Sequence, residues 1–394
     1  MKTSLCLTGV RLPVDDDRHL YDILVTDGVI TAIERHLFSL PTDTTIVDGE
    51  GALLLPAMTD LISFPDTTET PETALSSLRR GGYARALRLS TDTRGDVFSP
   101  DAPFYSVPRF PDDPKSLETE PSPLIWDGGL SYDLGYLREL YRAAAEQNKT
   151  VISTVCEPSL LSRGVLAEGR SSKLFRVPSI SPLCELMPLT RDLLLSEDSH
   201  CRLHIAAVST ARAVGMIAEA KKKGLAVSCG VSPFHLAFTE EDVAFYGSAA
   251  KLLPPLRTHA DREVLAEGLY DGTVDALSSL HTPLAPKDKE GSLAAAAFGC
   301  VSHDLALPAL LTFCPSLIDR PARLCRAVCG FPASLLGLDT SLTVGARADL
   351  ILVDPRRELV VSKHTLRTRA INTPFLGMTL TSSVVASCIG GVLV

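Results

Sequence analysis

The chain has 394 residues, 45% of them hydrophobic, and a formal net charge of −9. That is long enough for a barrel-sized core plus a smaller accessory unit. Scattered basic residues and an acidic balance argue against nucleic acid or an anionic membrane surface as a partner. No apolar run reaches the roughly 18 residues of a membrane span.

The N-terminus, Met1 to Leu7, runs into the charged Asp15-Asp16-Asp17-Arg18 without the pattern of a signal peptide. Residues 1–55 read as short strands at Ser4–Val10, Asp22–Val25, Val29–Glu34 and Thr45–Val47, with a turn at Asp27-Gly28. Between residues 56 and 341 strand and helix signals alternate, which predicts a parallel barrel. Buried-strand candidates lie at Thr150–Val155, Val227–Val231 and Ala276–Leu280. Helical spacing is clearest over Ser131–Gln147 and Ser209–Lys223. The second of these has Ser209-Thr210 as its N-cap and stops at Lys221-Lys222-Lys223-Gly224. Prolines at 100, 103, 108, 111, 114, 121 and 123 interrupt the stretch from Thr91 to Pro123. It reads as irregular chain around Phe104–Val107, with an exposed polar segment at Asp112–Glu120. Strand patterns return at Leu350–Val353 and Val384–Val394. The expected organisation is therefore α/β: a degenerate (β/α)8 barrel over 56–341, and a β-sandwich assembled from 1–55 and 342–394.

The ten cysteines are spread singly, apart from Cys325 and Cys329, whose spacing puts both on one helix face and suggests packing rather than metal binding. Reduced thiols and a cytoplasmic location are the expectation.

Five segments lie in an order that resembles a known family. They are Leu203-His204-Ile205-Ala206-Ala207-Val208-Ser209-Thr210, Pro254-Pro255-Leu256-Arg257 with Ala260-Asp261-Arg262, Asp271-Gly272-Thr273-Val274-Asp275-Ala276, Gly345-Ala346-Arg347-Ala348-Asp349-Leu350, and Asn372-Thr373-Pro374-Phe375-Leu376-Gly377. On these the chain resembles type-I dihydroorotases of the amidohydrolase superfamily, which hydrolyse cyclic amides through bound metal.

The resemblance also implies losses. The family's paired metal histidines align with Ile62 and Phe64, after a retained Asp60, and its substrate arginine aligns with Asp66. Further metal histidines align with Thr154 and Ala207, the substrate asparagine with Leu253, and the aspartate that serves as ligand and base with Leu280. Asp127 is the one ligand position that could still donate. A zinc site needs three or four N, O or S donors, and leucine takes no proton. No catalytic, cofactor-binding or metal-ligating residue is therefore expected, and no cofactor. The replacements would fill the barrel mouth with hydrocarbon. His204, His235 and His281 read as structural residues, with a Cys156, His204, His281 zinc site as the alternative.

By resemblance, the expectation is a catalytically inactive homologue acting as structural or regulatory partner of the aspartate transcarbamoylase catalytic subunit in pyrimidine biosynthesis. A homo-oligomer is expected too, with no nucleic-acid or membrane partner. Two alternatives stand beside it: a dihydroorotase or other cyclic-amide hydrolase with a rebuilt site, and a small-ligand-binding module.

Overall fold

A computed structural model describes residues 4–64, 68–92, 99 and 101–394. Two four-stranded sheets pack face to face. The first carries Ser4–Val10, Tyr21–Thr26, Val29–Glu34 and Thr45–Asp48; the second carries Leu53–Pro56, Leu350–Asp354, Ser383–Ile389 and Val392–Leu393. Leu5, Leu7, Ile23 and Val25 of one sheet meet Leu54, Leu350 and Leu352 of the other. The hairpin turn at Asp27-Gly28 has positive φ at both residues, 51° and 79°, as the right-handed twist of the flanking strands favours. A Cβ on Gly28 would lie 2.7 Å from the Gly390 carbonyl oxygen, so the hairpin docks against the last strands only with glycine there.

Among the described residues, eight parallel strands form the degenerate barrel. In order they are Met58–Ser63, Tyr83–Leu89, Phe104–Val107, Leu124–Trp126, Thr150–Ser153, Arg202–Ile205, Val227–Val231 and Ala276–Leu277. The first three pair in sequence, as do the last five. Single parallel bridges, Arg109 to Trp126 and Ser63 to His281, join the two groups. Residues alternate between the interior and the helices, as strand geometry requires. Ile152, Ala206 and Leu124 face inward, whereas Val151, Leu203 and Cys229 face outward.

The helices bury one face each. Leu134–Glu146 is capped by Asp133, which accepts from the amides of Gly135 and Tyr136, and buries Leu137, Leu140, Tyr141 and Ala144. Ala211–Lys222 is capped by Thr210, through the Ala213 amide, while Asp261 accepts from the Ala211 amide; Lys221 and Lys222 lie in its last turn. Ser209, expected to share the cap, is engaged elsewhere.

The proline-rich stretch differs from its reading. Phe104–Val107 is a strand, paired in parallel with the second strand from Ala86 to Leu89. Pro103 and Pro108 bracket it, so the prolines mark its edges rather than its absence. Among the described residues no helix separates the second and third strands, and a 3-10 turn at Pro114–Thr119 separates the third and fourth. Leu117 of the segment read as exposed is buried and, with Phe110, joins the outer core beside Leu137 and Tyr141.

Gly230, on the seventh strand, gives a first expected result. A Cβ there would sit 2.0 Å from Ser278 Oγ and 2.7 Å from the Ala206 carbonyl. Gly230→Ala should lower stability by about 1–3 kcal/mol through overpacking, read as a lower urea midpoint with an unchanged slope.

Candidate active site at the barrel mouth

A cavity of about 360 Å³ opens where the barrel strands end, the face on which barrel enzymes place their chemistry. Ile62 and Phe64 enter it after the first strand, Trp126 and Gly128 from the fourth, Thr154 and Cys156 after the fifth, Ala206 and Ala207 after the sixth, and Leu280 after the eighth. Leu253, Pro254 and Arg257 come from the loop beyond the seventh strand, and Cys184 and Glu185 from the start of the helix Leu183–Ser199. The apolar replacements therefore line an open cavity; the expectation that they fill the mouth is corrected. Ile62, Ala207 and Leu280 are nearly fully buried, yet their side chains are too short to close the space the loops enclose.

The positions where the resemblance implies metal ligands do not form a donor set. Ile62, Phe64, Ala207 and Leu280 carry no donor atom. Thr154 Oγ1 donates to Asp127, 2.9 Å away. Asp127 also accepts from the amides of Gly129 and Thr154 at 2.9 Å each and from Ser153 Oγ at 3.2 Å. These bonds occupy its carboxylate and clamp the ends of two strands. Burial raises its pKa, and the amides of Gly129 and Thr154 oppose that. Asp66 lies outside the described residues. Among the described residues no three His, Cys, Asp or Glu side chains could together hold a metal ion.

The retained Asp60 lies below the cavity. It accepts from the amides of Ile62 at 3.3 Å and Ser279 at 3.1 Å, pairs with His303 Nε2 at 2.9 Å, and receives the Ser279 hydroxyl. His281 stacks on His303 with ring centroids 3.8 Å apart, and its Nδ1 accepts from the amides of Ser302 and His303. His204 points into the barrel with Nδ1 2.9 Å from Ser228 Oγ, and burial pulls its pKa down to about 3. His235 is held between Ser232 Oγ at 2.7 Å and the Pro254 carbonyl at 3.1 Å. Cys156, His204 and His281 do not converge on a common point.

The polar wall of the cavity is elsewhere. Ser209 donates its amide and hydroxyl to Glu185 at 2.8 and 2.6 Å. Arg257 donates through Nη1 to the Ile180 carbonyl at 3.0 Å and through Nε to Ser209 Oγ at 3.3 Å. Burial raises the pKa of Glu185, and the Arg257 charge opposes that. Arg257 is 5% exposed, and its Nη2 is buried with no hydrogen-bond partner. Such an atom is costly in a protein interior unless a ligand completes it. Cys156 and Cys184 lie side by side, with sulfurs 3.8 Å apart.

Arg257, Glu185 and Cys184 were not among the residues singled out as functional from sequence. Arg257 sits in the Pro-Pro-Leu-Arg segment, which carried only a family likeness. Glu185 and Cys184 belong to no motif, and only the fold brings them to the mouth.

No protein-family model matches the chain. Similar proteins cover it almost entirely. Dihydroorotase from Bacillus subtilis (strain 168) is 30% identical over 418 aligned positions, 99% of this chain and 97% of its own. Dihydroorotase from Syntrophus aciditrophicus (strain SB) is 31% identical over 423, covering 99% of each. Among solved structures, L-hydantoinase from Arthrobacter aurescens superimposes with a TM-score of 0.84 at 21% identity, over 100% of this chain and 96% of its own. Dihydropyrimidinase from Brevibacillus agri NCHU1002 gives 0.84 at 20%, over 100% and 95%. These two support the fold, a barrel with a separate β-rich unit. The expectation of a catalytically inactive structural partner of aspartate transcarbamoylase is overturned by these relatives, named dihydroorotases along the whole chain, which favour a hydrolase. With 30–31% identity from end to end, the chain belongs to the dihydroorotase family.

Proposed function

We propose that this chain is a cyclic-amide hydrolase with a rebuilt site, which takes its ring into the cavity at the barrel mouth. The observation that carries the reading is the open cavity itself, of a size that suits a small ring compound, lined in part by Arg257, whose Nη2 is buried without a hydrogen-bond partner. Ile62, Phe64, Ala207, Leu253 and Leu280 make the other walls apolar, which favours a ring carrying an apolar substituent over one carrying a carboxylate.

Because the donor set does not suit zinc, the chemistry is assigned to the side chains present. Arg257, on the cavity lining, is the donor for the ring carbonyl oxygen. Cys184 is the nucleophile: its sulfur bonds the carbonyl carbon, the ring C–N bond breaks, and the nitrogen takes a proton from water. The hydroxide so formed cleaves the thioester to the open-chain acid and returns the thiolate. A thiolate is the effective form of this nucleophile. The hydrogen bond with Cys156 pulls the Cys184 thiol down to about 7, with the Arg257 charge acting the same way against burial.

Two measurements check this reading. Elemental analysis after purification without added metal should find well under one zinc per chain; one or more retained through dialysis contradicts the assignment. Incubation with dihydrouracil, dihydroorotate and hydantoins bearing apolar 5-substituents should show ring opening of the last group first. A second reading, a binding module, is favoured by the apolar lining. It predicts a ligand-dependent rise in melting temperature with every ring left intact.

A further inference from the structure

We propose that Cys156 and Cys184 form a reversible dithiol–disulfide couple on the wall of the mouth cavity, oxidised by a peroxide that enters through the cavity. This holds whatever ring the cavity takes.

The geometry is the first argument. The two sulfurs are 3.8 Å apart, and a disulfide needs about 2.05 Å, so a modest side-chain adjustment closes the bond. The segments that carry them are already tied together, the Glu157 amide donating to the Cys184 carbonyl at 2.9 Å. Access is the second argument. Both residues line the cavity, Cys156 partly exposed and Cys184 3% exposed at its wall, whereas Cys6, Cys201, Cys229, Cys300, Cys314, Cys329 and Cys388 are buried and are not part of its lining.

The electrostatics supply a third. Cys184 lies in the first turn of the helix Leu183–Ser199, where the helix dipole favours an anion. Cys156, the hydrogen-bond partner of Cys184, is pushed up, mainly by that hydrogen bond and by burial. Low-pKa thiols beside a resolving cysteine are the arrangement that reacts with oxidants.

The steps balance. The Cys184 thiolate attacks one oxygen of hydrogen peroxide; the S–O bond forms, the O–O bond breaks, and the departing hydroxide takes a proton to become water. Cys156 then attacks the sulfenic sulfur. The S–S bond forms, the S–O bond breaks, and the thiol proton and the hydroxide leave as a second water. Two thiols are oxidised and one peroxide is reduced. A dithiol reductant reverses the change by thiol–disulfide exchange.

The test uses the full chain treated with hydrogen peroxide, blocked with iodoacetamide and mapped by mass spectrometry. A Cys156–Cys184 cross-linked peptide that disappears on reduction is the expected result. In C156S the resolving thiol is gone, so dimedone should trap Cys184 as its sulfenic acid. Before oxidation, iodoacetamide labelling of Cys184 should rise through pH 7, with Cys325 as the comparator because its pKa is also lowered and it is partly exposed. Full alkylation of both Cys156 and Cys184 after peroxide, with no cross-link, overturns the proposal. So does the absence of a dimedone adduct on Cys184 in C156S. None of these readouts depends on ring hydrolysis, so the proposal and the hydrolase reading fail separately.

Discussion

Asp60→Ala is expected to destabilise the protein by about 3–5 kcal/mol, the range for removing one partner of a buried hydrogen-bonded charged network. Asp60 is fully buried and accepts from two amides, the Ser279 hydroxyl and His303. Its loss strands those donors below the cavity, and each unmade buried bond costs about 1–3 kcal/mol. The carboxylate also ties the first barrel strand to Ser279, at the end of the eighth. The barrel seam there is otherwise held by the Ser63–His281 bridge. Urea denaturation followed by far-UV circular dichroism gives the value. A loss below about 0.5 kcal/mol, within the ordinary range of a surface change, would mean that the Asp60 network does not hold the seam.

Arg257 should have the larger effect on ligand. Arg257→Lys keeps a cation near Glu185 but loses the planar fork, and with it the free Nη2. A charged hydrogen bond is worth about 1.5–3 kcal/mol, so ring affinity should fall by roughly 10- to 100-fold, with a lower melting temperature because the Nη1 bond to the buried Ile180 carbonyl is lost as well. Arg257→Met removes the charge as well. Glu185 is then buried without its cation, and the variant should lose both affinity and stability. Calorimetric titration of the two variants with the same hydantoin separates the roles. Unchanged affinity in Arg257→Lys places the ring elsewhere.

Much of this architecture is legible in the sequence because its causes are local. The Val227–Val231 strand, Val-Ser-Cys-Gly-Val, is short and fully buried, and its bounds coincide with the structure. The helix ending at Lys222 announces itself through Thr210 at one end and Lys221-Lys222-Lys223-Gly224 at the other. The Asp27-Gly28 hairpin needs only two residues to specify it. The third barrel strand was missed because Pro103 and Pro108 were read as interruptions rather than as its two ends. The apolar identity of positions 62, 64, 207, 253 and 280 is equally legible, since the residues alone decide it. The volume of the mouth is not. Whether five apolar side chains fill a space or line it depends on how far the loops at Leu253–Arg257 and Phe298–Gly299 stand from the strands. The Glu185–Ser209–Arg257 network was hidden for a related reason. Its members are 24 and 48 residues apart, and no periodicity links them.

The most direct test of the rebuilt site is a single-enzyme comparison after dialysis against a chelator. Wild type and C184S are incubated with a hydantoin bearing an apolar 5-substituent, and ring opening is followed by mass spectrometry of the quenched mixture. The wild type should open the ring without added metal, and C184S should bind the ring but leave it closed. A rate that appears only when zinc is restored and is unchanged in C184S contradicts the account.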